Sequence, residues 1–378
     1  MLRSDFQKLM PKIIARFVKD EIEPLARRWD ENREYPQENM RKLAEMRILG
    51  MRVPPKYGGS GRSLFDSVLI LEQIAKADPS TAINLHIQHN ASPIYVIHCS
   101  SDKVKEKFLI PFASGKILFS MAQTEPDVGS NLNDLSTTAR RVGNDYIVNG
   151  AKCMITLGRN ANVHLVYVKF EDDNSIGCLL IEKGQEGLYQ GGHEDFLGLR
   201  GLDSGELVFN DCRVPEENLL IKGRGSLRQM LTFFNGTRVG LASISLGIAE
   251  AAFEEALRYS KIRTISRKPL IEYQGLQWKL ADMAIKIEEM RQLVYSAAKD
   301  TSLNGFPNPF TSSAARIVAS ESAIEITNMV MSIFGAYGYS KEYPIERYLR
   351  DARGTTFIGG TPEVLRNAIG SYLKKRNL

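Results

Sequence analysis

Cysteine is scarce. The chain has four, Cys99, Cys153, Cys178 and Cys212, and none stands in a C-x-x-C pair. That scatter excludes a thiolate zinc site and a disulfide framework, and it fits a reducing compartment. His86, His89 and His98 fall close together, but no acid or cysteine is interleaved at ligand spacing, so no metal site is expected. Charge of one sign is not in excess either: the formal net charge is +5, with no dense basic block, so nucleic-acid binding is not expected. The one local cluster, "LKKRN" from Leu373 to Asn377, reads as a solvated tail. No apolar run approaches the ~20 residues that cross a bilayer, and "MLRSDFQKLMPKII" has neither a long apolar core nor a small-residue cleavage site. A cytoplasmic protein without a membrane span is expected.

What is present is enough for two or three compact units, since 378 residues with 43% hydrophobic and 25% charged composition support several cores. The first stretch reads as helical. Phe6, Met10, Ile13 and Phe17 form one apolar stripe, and "VPPKYGGSGRS" interrupts before periodicity returns at "LFDSVLILEQIAKA". From about Phe119 the texture changes to "VHLVYVKF", "IGCLLIEK" and "GELVFNDCRVP", strand-length and rich in β-formers. The Asn149-Gly150 step gives a hairpin signal there. Helical spacing returns with Leu241, Ile244, Ile248, Ala252 and Ala256. It continues with Leu276, Leu280, Met283, Ile287, Met290, Val294 and Ala297, stripes long enough for a bundle. The expected architecture is α+β: a helical domain over residues 1–117, a β domain over 118–224 and a four-helix-bundle domain over 225–378.

At the entry to the β domain stands "MAQTEPDVGSN", Met121 to Asn131. Pro126 fixes one backbone angle, Gly129 permits close approach, and Thr124 and Ser130 add hydroxyls, so the loop suits a flat polar ring or a pyrophosphate. The same residues also suit a plain helix-to-strand connector. "TEPDVGS", "NGAKCMIT", "LGLRGLDSGELVFNDCRVPEENLL", "RVGLASISLGIAEAAFEEAL", "YQGLQWKLADM" and "IFGAYGYSKEYPIERYLRDAR" follow one another in register over nearly the whole chain. In that order they resemble the acyl-CoA dehydrogenase family. The resemblance implies non-covalent FAD, a homotetramer or homodimer, and acyl substrates held as thioesters on CoA or an acyl carrier protein. It also implies an electron acceptor, an electron-transfer flavoprotein or oxygen.

By that resemblance Met121, Gln123, Thr124, Gly129 and Ser130 line the flavin, with Ser130 also reaching the substrate. Met154 replaces an aromatic beside the ring and Thr156 is kept; packing of Met154 into the core is the plain alternative. Arg263 and Gln274 would reach the cofactor of a neighbouring subunit, although "RTISRK" puts Ser266 and Arg267 where Phe and Gly are expected. Ser332, Gly335 and Ala336 match a segment that closes over a neighbour's cofactor, and Thr361 and Glu363 would bind the cofactor as well. Asn235, Arg238 and Gly360 fall at the thioester end.

The departure is at the base. The family's usual glutamate aligns with Gly359 of "FIGGTPEVLR", and the position used by other members is Thr237, so no catalytic residue is assigned. Three readings stay open. The first is desaturation of a thioester with a carboxylate from elsewhere. The second is oxidation of a hydroxyl or another activated position on a carrier-bound substrate, where a weaker base suffices. The third is a flavin-binding homologue without dehydrogenase activity. Thr361 reads as a helix N-cap and Pro362 as the first helical residue.

Overall fold

The computed structural model describes residues 4–374. Of the terminal basic cluster only Leu373 and Lys374 fall among them. Seven helices come first: α1 (Asp5–Phe17), α2 (Glu23–Asn32), α3 (Gln37–Glu45), α4 (Leu64–Ala75), α5 (Pro79–Asn90), α6 (Ser92–Cys99) and α7 (Asp102–Ala113). Ser4 opens α1 in a capping box with Gln7. Phe6, Met10 and Phe17 pack inward as expected, but Ile13 is exposed and Ile14 is buried instead. The seam continues through a π turn at Val18–Ile22, so Ile14, Val18 and Ile22 form its line. Ile13 sits about 100° away from it around the helix.

Every residue of α5 is buried. A helix enclosed on all sides is normally apolar all round. This one carries Asn84, His86, Gln88, His89 and Asn90, whose polar atoms must find partners inside the protein.

The β domain contains β1 (Phe119–Ala122), β2 (Thr138–Val142), β3 (Asp145–Thr156), β4 (Val163–Phe170), β5 (Ile176–Glu182), β6 (Leu188–Gly191), β7 (Ser204–Pro215) and β8 (Leu219–Ile221). Their order is β6-β7-β3-β2-β4-β5-β8, with β1 parallel to β4. The inward faces form a separate core that includes Ala122, Tyr146, Val166, Phe170 and Leu207. The expected hairpin exists, but its turn is Gly143-Asn144, between β2 and β3. Asn149-Gly150 lies within β3, where the register against β7 shifts, and Asn149 bonds Asp211 through both its amide groups. An Asn-Gly step also suits a bulge, and β-formers on both sides do not distinguish the two.

The third region begins with α8 (Ser226–Ile262) and a small hairpin of β9 (Thr264–Ile265) and β10 (Lys268–Pro269). It continues with α9 (Gln274–Lys299), α10 (Pro309–Phe334), α11 (Ala336–Tyr339), α12 (Ile345–Thr355) and α13 (Pro362–Leu373). The α8 stripe read from spacing is buried throughout, and on α9 Leu280, Met283, Ile287, Met290, Val294 and Ala297 are buried with it. Contrary to the expectation from apolar runs, α10 is long and apolar enough, by length and composition, to cross a bilayer. It packs here against α8, α9, α12 and α13, as the central helix of a bundle does. The fold is helical, then β, then helical.

Candidate active site

The Met121–Ser130 loop is built on a buried ion pair. Pro126 sits in a turn closed by reciprocal Glu125–Val128 backbone bonds of 2.9 and 3.2 Å. Beneath it, Lys152 Nζ donates to the Glu125 carboxylate at 2.8 Å and to the Gln123 carbonyl at 3.2 Å. The same carboxylate accepts from Ser136 N–H, Ser136 Oγ and Thr137 N–H. Glu125 is 2% exposed and Lys152 1%. Burial works to raise the Glu125 carboxyl, but Lys152 and the Ser136 and Thr137 donors outweigh it and hold the group at about 2. Reading the motifs for ligand contacts missed both residues. Their signal is an acid between two turn residues and a lysine inside a strand.

The Cys153 N–H donates to the Thr124 carbonyl at 3.0 Å, which ties the loop to β3. The next residue, Met154, has φ +57° and is 56% exposed, at a second register shift against β7. Met154 is therefore not core. Thr156 pairs with Ser204, whose Oγ is buried without a partner among the described residues. Gly129 and Ser130 are exposed, and a Cβ on Gly129 would meet no protein atom within 4 Å. Met121, Gln123, Thr124, Met154 and Thr156 thus border a half-open face with a soft thioether and polar groups. This fits a flat heteroaromatic ring.

Arg263 and Gln274 are exposed at the end of α8 and the start of α9, and Ser332, Gly335 and Ala336 are exposed at the end of α10. Tyr259 and Phe334 stack at 4.0 Å, bringing the ends of α8 and α10 together. Ser266 and Arg267 form the hairpin turn with φ +48° and +63°. Thr361 accepts from Val364 N–H, opening α13 with Pro362 in its first turn, and Glu363 is exposed there.

The thioester-end residues lie in a different environment. Gly359 and Gly360 have φ +78° and +99°, and a Cβ on Gly359 would fall within 3 Å of Leu241 Cδ1. Thr237 is buried and its hydroxyl donates to the Asn90 carbonyl at 2.7 Å. Asn235 donates to Pro307 O and accepts from Arg238 Nη1, so its amide is committed to holding the arginine. Arg316 on α10 donates to the carbonyls of Thr355 and Ile358, the latter next to Gly359.

Arg52, Asn90, Ser67 and His89 complete this wall in one directed chain. Arginine has no acceptor, so Asn90 Oδ1 faces Arg52 Nη1, at 2.6 Å. The Asn90 amide nitrogen must then donate to Ser67 Oγ at 3.1 Å and to His86 Nδ1 at 3.2 Å. Ser67 donates on to His89 Nδ1, and His89 Nε2 donates to Ile48 O. His86 consequently accepts on Nδ1 and carries its proton on Nε2, a tautomer assigned from the network. Burial first, then neighbouring His89 and the charges of Arg316 and Arg52, depress His86 to about 3, so it is neutral. Gly240 on α8 leaves room for this contact, because a Cβ there would fall within 3 Å of His86 and Asn90.

Chains of known kind share this sequence and fold. The family descriptions for the acyl-CoA dehydrogenase N-terminal, middle and C-terminal domains match residues 4–116, 120–212 and 223–373. A short-chain-specific acyl-CoA dehydrogenase of Clostridium acetobutylicum is 34% identical, with 97% of each chain covered. An NADH-dependent acryloyl-CoA reductase of Anaerotignum propionicum is 34% identical, covering 100% of this chain and 98% of the other. The solved butyryl-CoA dehydrogenase of Megasphaera elsdenii superposes with a TM-score of 0.95 at 34% identity, over 99% of this chain and 100% of that one. The chain belongs to the acyl-CoA dehydrogenase family.

Proposed function

We propose that the protein is an FAD-dependent oxidoreductase acting on an acyl group held as a thioester. The observation that carries the reading is the group of partly exposed Met121, Thr124, Met154 and Thr156 on a loop and strand anchored by the buried Glu125–Lys152 pair. FAD, when bound there, supplies a hydride acceptor. Thr124 and Ser130 would hold its polar edge and Met154 would pack beside it. Arg263, Gln274, Ser332, Gly335, Ala336, Thr361 and Glu363 would serve cofactor sites in a homo-oligomer. The exposed Trp278, Ile285 and Leu293 of α9 give such an oligomer an apolar seam. CoA is the carrier the relatives' names suggest, and reduced flavin would pass electrons to a flavoprotein or to oxygen. With its four thiols free, the protein fits a cytoplasmic setting.

A second observation favours a variant of this chemistry. Gly359 and Thr237 offer no carboxylate, and among the described residues neither Arg238 nor Arg316 forms an ion pair. In this reading the position of the usual base is bare, and the reaction is one that does not require strong proton abstraction from carbon, such as oxidation at a hydroxyl. Anaerobic spectroscopy of the purified protein tests both points. The expected result is a yellow protein that saturated butyryl- to palmitoyl-CoA bleach slowly or not at all. A colourless protein that stays so with added FAD would overturn the flavin reading. Rapid bleaching by those thioesters would overturn the missing base.

A further inference from the structure

Arg316, bonded to the Ile358 carbonyl next to Gly359, belongs to a set of buried donors that form no ion pair among the described residues. Arg316 is 1% exposed and Arg238 6%. Arg316 Nε and Nη1, Arg238 Nε, Arg52 Nε and His86 Nε2 are all buried with no partner among the described residues. They come from four separate elements: the segment after α3, α5, α8 and α10. They nonetheless act on one another, since Arg316 and Arg52 both press on His86, and Arg238 presses on Arg316. Burial disfavours the Arg238 charge, and the phenols of Tyr167 and Tyr95 are the groups that favour it. Arg52 has one distant carboxylate, Asp66, already occupied by Ser63 and Gln7.

Each of these five atoms can only donate, His86 Nε2 included, because Asn90 occupies the other ring nitrogen. A buried guanidinium without a counter-charge costs several kcal/mol, so its partner in the working state is expected to be an anion. A thioester carbonyl does not suffice: it is neutral, and its two lone pairs serve at most two of the donors. The flavin phosphates do not suffice either, because their candidate residues, Arg263 and Gln274, lie on the exposed surface. A carboxylate, with four lone-pair directions and a full charge, matches paired guanidinium donors.

We infer that the preferred substrate is a thioester whose short acyl group itself ends in an oxyanion, received by Arg238, Arg316 and His86 beside Gly359. The proposal rests on the thioester reading above and adds the chemistry of the acyl end. The substrate's own carboxylate would then supply the negative charge that Gly359 and Thr237 do not. Arg52 acts one step back, as a positioning residue that orients Asn90 and, through it, the His86 tautomer.

The test is calorimetric titration of the flavin-loaded protein with length-matched pairs, glutaryl-CoA against valeryl-CoA and succinyl-CoA against butyryl-CoA. The carboxylated member of each pair is expected to bind about 10- to 100-fold tighter, the range of one or two charge-assisted bonds. Arg238→Gln is expected to bring that ratio toward one. Arg316→Lys, which keeps a donor for the Thr355 and Ile358 carbonyls, is expected to lower it partly. His86→Phe removes the neutral donor and serves as the second variant should Arg316→Lys not fold. Equal binding of both members would overturn the anionic acyl end and leave the thioester reading standing. Binding of neither would overturn both.

Discussion

Two buried cationic sites in this protein are finished differently. Under the Met121–Ser130 loop, Lys152 meets Glu125, and every oxygen of that carboxylate is bonded to the β domain. In the helical region, three buried guanidinium groups and a neutral imidazole form no ion pair among the described residues. The first arrangement is self-sufficient and makes a rigid floor. The second is incomplete as protein, and completing it requires something that arrives with the ligand. A satisfied buried charge marks a structural element, whereas an unsatisfied one marks a place where the molecule receives a partner.

The largest separation should come from unpairing the floor. Glu125→Gln leaves Lys152 buried without its counter-charge and should cost about 3–5 kcal/mol. Urea denaturation would measure that loss, and flavin absorbance per protein should fall with it; unchanged flavin retention would show that the loop does not depend on the pair.

Acidification probes the neutral imidazoles. His86, His89 and His164 are depressed to about 3 from an ordinary 6.5, chiefly by burial. Below 6.5 the unfolded chain therefore binds protons that the folded chain does not, and stability falls as pH drops toward about 3. A loss of at least about 1 kcal/mol per histidine is expected near pH ~5, read from urea midpoints. Glu125 adds a separate loss at lower pH, between its ordinary 4.5 and about 2, which Glu125→Gln should remove.

A carboxylate placed in the incomplete site sharpens the comparison in the other direction. Gly359→Glu sits at φ +78° against Leu241, so it should cost about 1–3 kcal/mol despite the favourable charge. Combining it with Leu241→Val relieves the contact, and that double variant should bleach faster with butyryl-CoA than the parent. No gain in the bleaching rate, with flavin content intact, would mean that the site lacks more than a base.

Removing a lone cation should do the opposite of removing a paired one. Arg238→Met takes away an uncompensated buried charge and should leave ligand-free stability unchanged or raise it by about 1 kcal/mol. A loss comparable to that of Glu125→Gln would indicate a counter-charge for Arg238. The smallest effect on stability belongs to Arg263→Ala, an exposed side chain, at within about 0.5 kcal/mol. Its flavin content should nevertheless drop if it serves a neighbour's cofactor.

Much of the fold was legible because period and composition are local properties. The α8 and α9 faces, the β-rich middle and the Thr361-Pro362 helix start all follow from residues within a few positions of one another. Errors appeared where one local pattern serves two structures. Asn149-Gly150 suits a turn or a bulge, and Ile13 fits a stripe until the π turn after α1 shifts the seam to Ile14. Met154 could be read as core or surface, and its positive φ decided for the surface.

The candidate site divides in the same way. Sequence alone determined that the motifs of one family run through the chain. It did not reveal that Glu125 and Lys152 neutralise each other, nor that Arg52, His86, Arg238 and Arg316 each bury a donor without a partner among the described residues. Those four residues are dozens of positions apart, and nothing in their neighbours marks them. Whether a buried charge is paired depends on which atoms lie within a few ångströms of it, and in this chain the packing of α5 against α8 and of α8 against α10 sets those neighbours.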